Sequence, residues 1–457
     1  MMTESQRAAL AEYAAVKGQC PARERLAALF DDGVYTETGS NLRAGENLAG
    51  VVTAYGYIGG TPAYAFSQDS TVMKGAVSLA HSAKICKMFE LAARNGVPVV
   101  GIYDSCGAFV EDGADALNAY SDILLSMGSL SGVVPMVSVI SRVCAGTMAM
   151  IASSADFSVI TEGAELYLDA SGNNASAESA AKSGAVSAYA KSDAEAMDTV
   201  RRYLSLMPQN NLSPLPEFEF DAPVSAAFDN AENAAESIAD AGSILEVYGE
   251  YGTASYTALC TVSGVTAGIA ATNKTKDKLT SADCSKIARF VRLCDAYSIP
   301  VITVADTEGF DLHGADMVRA GAALAGAYAE ASCAKIALVS GKACGMAYIA
   351  FAGRNVAADA VYALPEAVIA PMDPVSAAEF LYHDKLKGAD DLAAARAQIA
   401  KEYAENEGSA FAAAAKGAAD EVVTAENVRA AVASVLDVTA GKRLNKRLPK
   451  KHNILPL

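Results

Sequence analysis

The sequence predicts an α/β protein made of two tandem halves, with a helical layer closing the second. Three observations carry that expectation. Apolar runs of strand length alternate with segments whose apolar residues recur at helical spacing. The same succession of elements occurs twice, at a nearly constant offset. Between the two occurrences lies Met207 to Asp240, which holds Pro208, Pro214, Pro216 and Pro223 among many acidic residues, the composition of an exposed linker or irregular insertion. The expected division is 1–215, then 216–243 as linker or insertion, then 244–457.

In the first half, Val51 to Ile58 and Ala63 to Ser67 flank Gly59-Gly60, a hairpin signal. Ala76 to Arg94 places Leu79, Ala83, Cys86 and Phe89 at helical spacing and stops at Gly96. Val97 to Tyr103 is a continuous apolar run, which suits a strand covered on both faces. Val133 to Ile140 repeats it, followed by a helical Ala145 to Ser154. In the second half, Lys286-Ile287, Pro300, Asp306 and Gly309 stand 202 residues after Lys84-Ile85, Pro98, Asp104 and Gly107. Leu338, Ser340 and Gly345 stand 199 residues after Val139, Ser141 and Gly146. An internal duplication accounts for this; two generic βα units of similar wording are the competing reading. Leu392 to Ala404 and Asn427 to Leu436 read as helices of the closing layer.

Composition narrows the function. With 457 residues, 52% hydrophobic and only 7% aromatic, the chain can bury large cores packed mostly with small aliphatics. A formal charge of −17 argues against nucleic acid, which needs clustered Lys and Arg. The basic stretch Lys442 to Lys451 reads as a solvated face, with attraction of an acidic partner or a ligand's phosphates as the competing reading. Cys86, Cys144, Cys260 and Cys344 lie in apolar surroundings and read as buried small hydrophobes. Tyr55, Tyr57 and Tyr64 read as hairpin packing. Met1 to Ala14 lacks the apolar centre of a signal peptide, and Leu130 to Ala152 is broken by Pro135, Arg142 and Gly146, so a cytoplasmic protein without membrane insertion is expected.

Two glycine-bearing turns follow strands in each half. The first pair is Asp104-Ser105-Cys106-Gly107-Ala108 and Thr307-Glu308-Gly309-Phe310. The second pair is Cys144-Ala145-Gly146-Thr147-Met148 and Cys344-Gly345-Met346-Ala347, where a strand ends and a helix begins. Unpaired N–H groups at a helix start are oriented donors suited to an oxyanion, such as a thioester carbonyl becoming an enolate. The bland reading is that small residues there permit close packing. No GxxxxGK[ST], GxSxG, HExxH or GxGxxG occurs, and His81, His313, His383 and His452 are scattered, so metal sites and His-based triads are poor candidates.

The opening Gly18 to Leu26, the run from Gly50 to Gly113 and three stretches of the second half resemble, in order, the carboxyltransferase subunits of biotin-dependent acyl-CoA carboxylases and decarboxylases, of the propionyl-CoA carboxylase β and methylmalonyl-CoA decarboxylase α type. Gly18-Gln-Cys-Pro-Ala-Arg-Glu-Arg-Leu is similar to the family opening G-K-L-T-A-R-E-R. The run from Gly50 to Gly113 parallels the family's first half; KIARFVRLCDAYSIPVITVADTEGF, YAEASCAKIALVSGKACGMAY and the closing LPKKHNILPL parallel the second. The resemblance implies two crotonase-like domains, the first binding acyl-CoA and the second biotin. It implies a trimer of dimers and a biotin carboxyl carrier protein as partner, with a biotin carboxylase or a membrane decarboxylase subunit beside it. Biotin would arrive on that carrier, since no A-M-K-M motif occurs and Met73-Lys74-Gly75 does not replace it.

The family's P-C-A-G-G falls on Val143-Cys144-Ala145-Gly146-Thr147 and its K-A-Y-G-G-A on Lys342 to Ala347. The resemblance thus implies backbone oxyanion holes at Gly146, Thr147, Met346 and Ala347, the first for the enolate and the second for the ureido oxygen of biotin. Substrate contacts are implied at Lys74, Gly75, Cys106, Gly107, Ala108, Gly309, Phe310 and Gly345, with Ile349 tuning acyl choice. The sequence departs from the family at Cys106 and Phe109, where D-S-G-G-A-R is expected, and at Thr147 and Met346, which replace the second glycine of each hole. These changes matter if the turn needs positive φ there or if the side chain fills the pocket. They leave open a non-catalytic structural or regulatory subunit. A crotonase-type hydratase or thioesterase would have to rely on Glu111 and Glu308.

Overall fold

Gly59 and Gly60, both at positive φ (57° and 75°), close the first hairpin in the computed structural model, which describes residues 2–169, 175–223, 225–311, 316–354 and 356–442. Two positive-φ residues give the turn that matches strand twist. Its strands are β1 (Val51–Ile58) and β2 (Thr61–Gln68), and both turn N–H groups donate to the Asp31 carboxylate, at 2.9 and 2.8 Å. Upstream, α1 (Pro21–Leu29) starts with proline, whose missing N–H costs nothing in a first turn. The next helix, α2 (Leu79–Asn95), is capped by the Ser78 hydroxyl and by Gly96 at φ 62°. It starts later than the periodicity suggested because Val77 is extended, its N–H donating to the Gly107 carbonyl at 2.9 Å.

The chain continues through β3 (Val99–Ser105), α3 (Asp115–Leu130), β4 (Met136–Ala145), α4 (Thr147–Ser153), β5 (Phe157–Thr161) and α5 (Asp193–Leu206). Tyr35–Thr38, β1, β2, β3, β4, β5 and Ala188–Ala190 lie side by side in that order, antiparallel up to β2 and parallel beyond. Phe66 packs edge-on against Phe89 and Tyr103 at 5.9 and 5.5 Å between ring centroids. Gly101 makes room for it, since a Cβ there would stand 2.4 Å from the Phe66 ring. Contacts divide the chain into Met1–Pro214 and Leu215–Leu457.

The second unit repeats the design: α6 (Ala231–Ile238), β6 (Tyr256–Val262), β7 (Val265–Ala271), α7 (Ser281–Ala296), β8 (Val301–Ala305), α8 (Asp316–Glu330), β9 (Lys335–Val339), β10 (Lys342–Cys344), α9 (Met346–Phe351) and β11 (Ala360–Ala363). Its sheet runs Leu245–Glu246, β6, β7, β8, β9, β11, Glu421–Val422, again antiparallel at first and then parallel. Even small features recur. Val77 bridges Ala108 and Leu279 bridges Phe310, while Ser78 and Thr280 cap equivalent helices. Helices Leu392–Asn406 and Ala425–Thr439 form where the sequence placed the closing layer.

The segment read as a linker needs correction. Ala231, Ala234, Ala235 and Ile238 of α6 are buried in the second unit's core. Their i, i+3, i+4, i+7 spacing is an apolar helix stripe, which the neighbouring prolines and acids obscured. His313, most of the basic stretch after Lys442 and the closing LPKKHNILPL lie outside the described residues; Lys442 itself donates to the Cys333 carbonyl and the Asp359 carboxylate, at 2.7 and 2.8 Å. Among the described residues no helix is long and apolar enough to cross a membrane.

Candidate active site

In the first unit the expected residues gather at the carboxyl ends of two adjacent parallel strands, where α/β sheets commonly bind ligands. Ser105, ending β3, pairs with Cys144 near the end of β4. The pairing jumps there, from Tyr103↔Ile140 to Ser105↔Cys144, so β4 carries extra residues that bend its end. Gly146 follows at φ 66°, ψ −143°, a conformation open essentially to glycine, and α4 begins at Thr147. The Gly146 N–H donates to the Tyr167 carbonyl at 2.9 Å, which fixes the turn. Gly146 therefore acts through its conformation, and the N–H groups left without an intrahelical acceptor are those that open α4, Thr147, which is part-exposed, and Met148, which is buried.

Beside it, Gly107 at φ 118° donates its N–H to the Ser105 hydroxyl at 3.2 Å. Cys106 and Ala108 are exposed and Gly107 is buried. The Cys106 N–H donates to the Lys74 carbonyl at 3.1 Å. Met73, Lys74 and Gly75 all have positive φ (49°, 53° and 67°), and a Cβ on Gly75 would stand 2.1 Å from the Asp104 carbonyl oxygen. Only glycine permits that approach. Lys74-Gly75 and Cys106-Gly107-Ala108 thus pack side by side, with Lys74, Cys106 and Ala108 exposed and the two glycines buried between them.

The second unit builds the same pair of turns. Gly345 sits at φ 54°, ψ −121°, its N–H donating to the Ala370 carbonyl at 2.9 Å, and α9 begins at Met346. Met346 and Ala347 present the first helical N–H groups. Gly309 at φ 102° donates to the Thr307 hydroxyl at 3.1 Å, matching Gly107 and Ser105. The Thr307 N–H donates to the Lys342 carbonyl at 2.8 Å, stitching the two turns together. Lys342 is ion-paired with Glu308 at 2.8 Å and with Asp373. Burial works against its charge, but the hydrogen bonds it donates to Asp373 and Glu308 outweigh that and raise its pKa. Phe310 stands apart from the other expected contacts: it is buried and its ring stacks on Phe351 at 6.1 Å. Ile349 is 56% exposed on α9.

Thr147 and Met346 both start helices with helical backbone, so neither position needs the freedom of glycine. The positive φ belongs to the residue before each. Met346 is exposed at 45%, and its Sδ and Cε lie 3.8 Å from where a Cβ on Gly321 of α8 would stand. The buried Cys144 thiol is pushed well above its ordinary pKa by desolvation and is inert. Of the alternative acids, Glu111 is exposed and Glu308 is committed to Lys342.

A family model described as the carboxyl transferase domain matches residues 14–455. The chain belongs to that family. This carboxyltransferase is 33% identical to the methylmalonyl-CoA decarboxylase α subunit of Propionigenium modestum, across 96% of this chain and 94% of the relative. It is 33% identical to the methylmalonyl-CoA carboxyltransferase 12S subunit of Propionibacterium freudenreichii subsp. shermanii, across 96% and 92%. It is 31% identical to a propionyl-CoA carboxylase β chain of Cereibacter sphaeroides, across 96% and 94%. Among solved structures, transcarboxylase 12S with methylmalonyl-coenzyme A and methylmalonic acid bound superposes with a TM-score of 0.90 at 31% identity, covering 100% of this chain and 99% of that one. The expected fold, a tandem crotonase-like α/β pair with helices closing the second, is the fold observed.

Sequence reasoning missed what holds the first carboxyltransferase turn from behind. Arg25, inside the A-R-E-R stretch, lies buried against Asp104, with Nη2 to Oδ2 3.0 Å. A charged residue in the middle of an apolar helix face was the available signal. Also missed were the carbonyls of Tyr167 and Ala370, which no side-chain pattern announces.

Proposed function

We propose that the chain moves a carboxylate between carboxybiotin and the α-carbon of an acyl-CoA thioester, with the first unit taking the thioester and the second the biotin. The observation that carries this reading is the repeated strand–glycine–helix turn, Gly146-Thr147 and Gly345-Met346, each beside a hydroxyl-held Gly107 or Gly309. When the carboxyl leaves the α-carbon, the C–C electron pair moves into the thioester as an enolate. In this reading the Gly146–Thr147 turn holds that oxygen through the Thr147 N–H, and the dipoles at the start of α4 reinforce it. Biotin, delivered on a separate carrier protein, would supply the ureido nitrogen that takes the carboxyl, its N–H proton passing to the α-carbon of the enolate. The Met346 and Ala347 N–H groups bind its ureido oxygen, and the Met346 side chain, directed at Gly321, fits that role. Lys74 and Gly75 contact the CoA, Cys106 to Ala108 the thioester and Gly309 the biotin side, with Phe310 supporting that turn from the core, and Ile349 tunes acyl choice.

The transcarboxylase 12S structures describe a hexamer assembly. A homo-oligomer of the same kind, cytoplasmic and served by a biotin carboxyl carrier, is the matching arrangement here. The test is carboxyl exchange by the purified protein with free biotin and malonyl-, methylmalonyl- and longer dicarboxylic acyl-CoAs. Biotin-dependent decarboxylation of one ester is expected. Silence across the panel, with CoA esters still binding, would overturn the reading in favour of a non-catalytic subunit.

A further inference from the structure

Four charged side chains run in line behind the first unit's turns. Arg142, on the bulged end of β4, reaches Asp193 (Nη1 to Oδ1 3.5 Å). Asp193, the first residue of α5, faces Arg25 (Oδ2 to Nε 3.9 Å). Arg25 pairs with Asp104 (Nη2 to Oδ2 3.0 Å), and both side chains are buried, at 7% and 6% exposure. Asp104 also accepts from the Ser70 hydroxyl at 2.8 Å, and its N–H donates to Gln68 Oε1 at 3.0 Å. Gln68 in turn contacts His81 Nε2 at 3.2 Å, and Arg25 donates to the Gln68 carbonyl at 3.4 Å. His81 is neutral, its pKa held down to about 3 by burial and by the Lys84 charge.

The chain of charges joins the two strand ends that carry the site. Its inner end fixes Asp104, whose carbonyl packs on Gly75 and whose successors are Ser105 to Ala108. Its outer end fixes β4 four residues before Gly146. Packing alone does not demand a cation here. In the second unit the equivalent carboxylate, Asp306, takes Asn273 Nδ2 at 2.6 Å and the Lys342 N–H at 2.8 Å, and the same fold closes around those neutral partners.

We propose that Arg25 is a positioning residue for carboxyl transfer, its guanidinium setting the distance between the Cys106–Ala108 turn and the Gly146–Thr147 turn through Asp104 and Asp193. This rests on the function proposed above. Lysine offers a point charge where arginine spans two carboxylates with a planar fork, so Arg25→Lys keeps the charge and loses the geometry. Small misplacement of reacting groups can cost about a hundredfold in rate.

The test measures kcat and KM for decarboxylation with free biotin, alongside thermal melting, in Arg25→Lys, Asp193→Asn and Asp193→Glu. Asp193 is the outer, part-exposed member, so its variants keep the fold even if Arg25→Lys does not. The expected result is a fall in kcat of about tenfold or more for Asp193→Asn, with KM for biotin and melting temperature unchanged and partial recovery in Asp193→Glu. Parental kcat in Asp193→Asn and in a folded Arg25→Lys would overturn the inference while leaving the function intact. A parent protein without turnover would sink both.

Discussion

Replacing Gly146 by alanine tests whether backbone, and no side chain, stabilises the enolate. Gly146 is held at φ 66°, ψ −143°. A non-glycine residue kept in such a region costs about 1–3 kcal/mol. No heavy atom lies within 4 Å of where the new Cβ would stand, so packing adds nothing and the cost is torsional. The chain relieves it by rotating the peptide between residues 146 and 147, which turns the Thr147 N–H away from the oxyanion. Loss of one such donor lowers turnover about 10²–10³-fold. The folded unit should lose about 2–12 °C of melting temperature, since about 1 kcal/mol moves a domain of this size by roughly 2–4 °C. Biotin-dependent decarboxylation at saturating CoA ester, measured with a thermal melt on the same sample, reads both effects. The expected outcome is a collapse of kcat with KM for the ester within a few-fold of the parent. Parental kcat in Gly146→Ala would refute the reasoning, whatever the melting temperature.

Thr147→Gly and Met346→Gly should behave in the opposite way, keeping kcat within about threefold, because both residues sit on helical backbone and glycine there costs only about 1 kcal/mol; a tenfold gain in Met346→Gly would show that the thioether obstructs biotin. The buried Lys84 and Lys286 have their pKa lowered from 10.5 to about 8, chiefly by desolvation. Between those pH values the unfolded chain holds protons that the fold has released, so stability should rise with pH across the window and stay flat below it, by about 3 kcal/mol per lysine at most. Urea unfolding at pH 7.5 and 9.5 checks this; a Lys84→Met, Lys286→Met chain with the same pH difference as the parent would contradict it. Gly101→Ala, which would drive a methyl to 2.4 Å from the Phe66 ring, should destabilise by about 1–3 kcal/mol in the same unfolding assay, and an unchanged midpoint would count against that packing.

Much of this was legible in the residues. Gly59-Gly60 announced a two-residue hairpin, and the unbroken apolar run before Asp104 announced a strand buried on both faces. The offsets of 202 and 199 residues marked the duplication, and the structure returns it down to the hydroxyl-held glycines. What stayed hidden has a common cause. Sequence periodicity reports which face of an element is apolar, and it says little of backbone dihedrals or of partners far away in the chain. Hence Thr147 and Met346 looked like damaged glycines, although the glycine that the turn needs is the preceding one in each case. Likewise the Arg25–Asp104 pair joins residues 79 positions apart, and α6 was masked by the prolines before it.

The hairpins that open the two sheets also bear on how the chain reaches this structure. Val262 and Val265 close the second over Ser263-Gly264, again with both turn residues at positive φ (53° and 79°). Such ribbons form in about 1–10 μs, whereas parallel strands wait for a helix to be threaded between them. Each half therefore contains its own fast-forming seed, a free edge of β2 or β7 on which β3 or β8 can be laid. During synthesis, on this account, residues up to 214 have everything required to complete their sheet before β6 leaves the ribosome. Pulse-labelled hydrogen exchange would show this as early protection at Val51 to Gln68 and at Tyr256 to Ala271, two separate origins in one polypeptide.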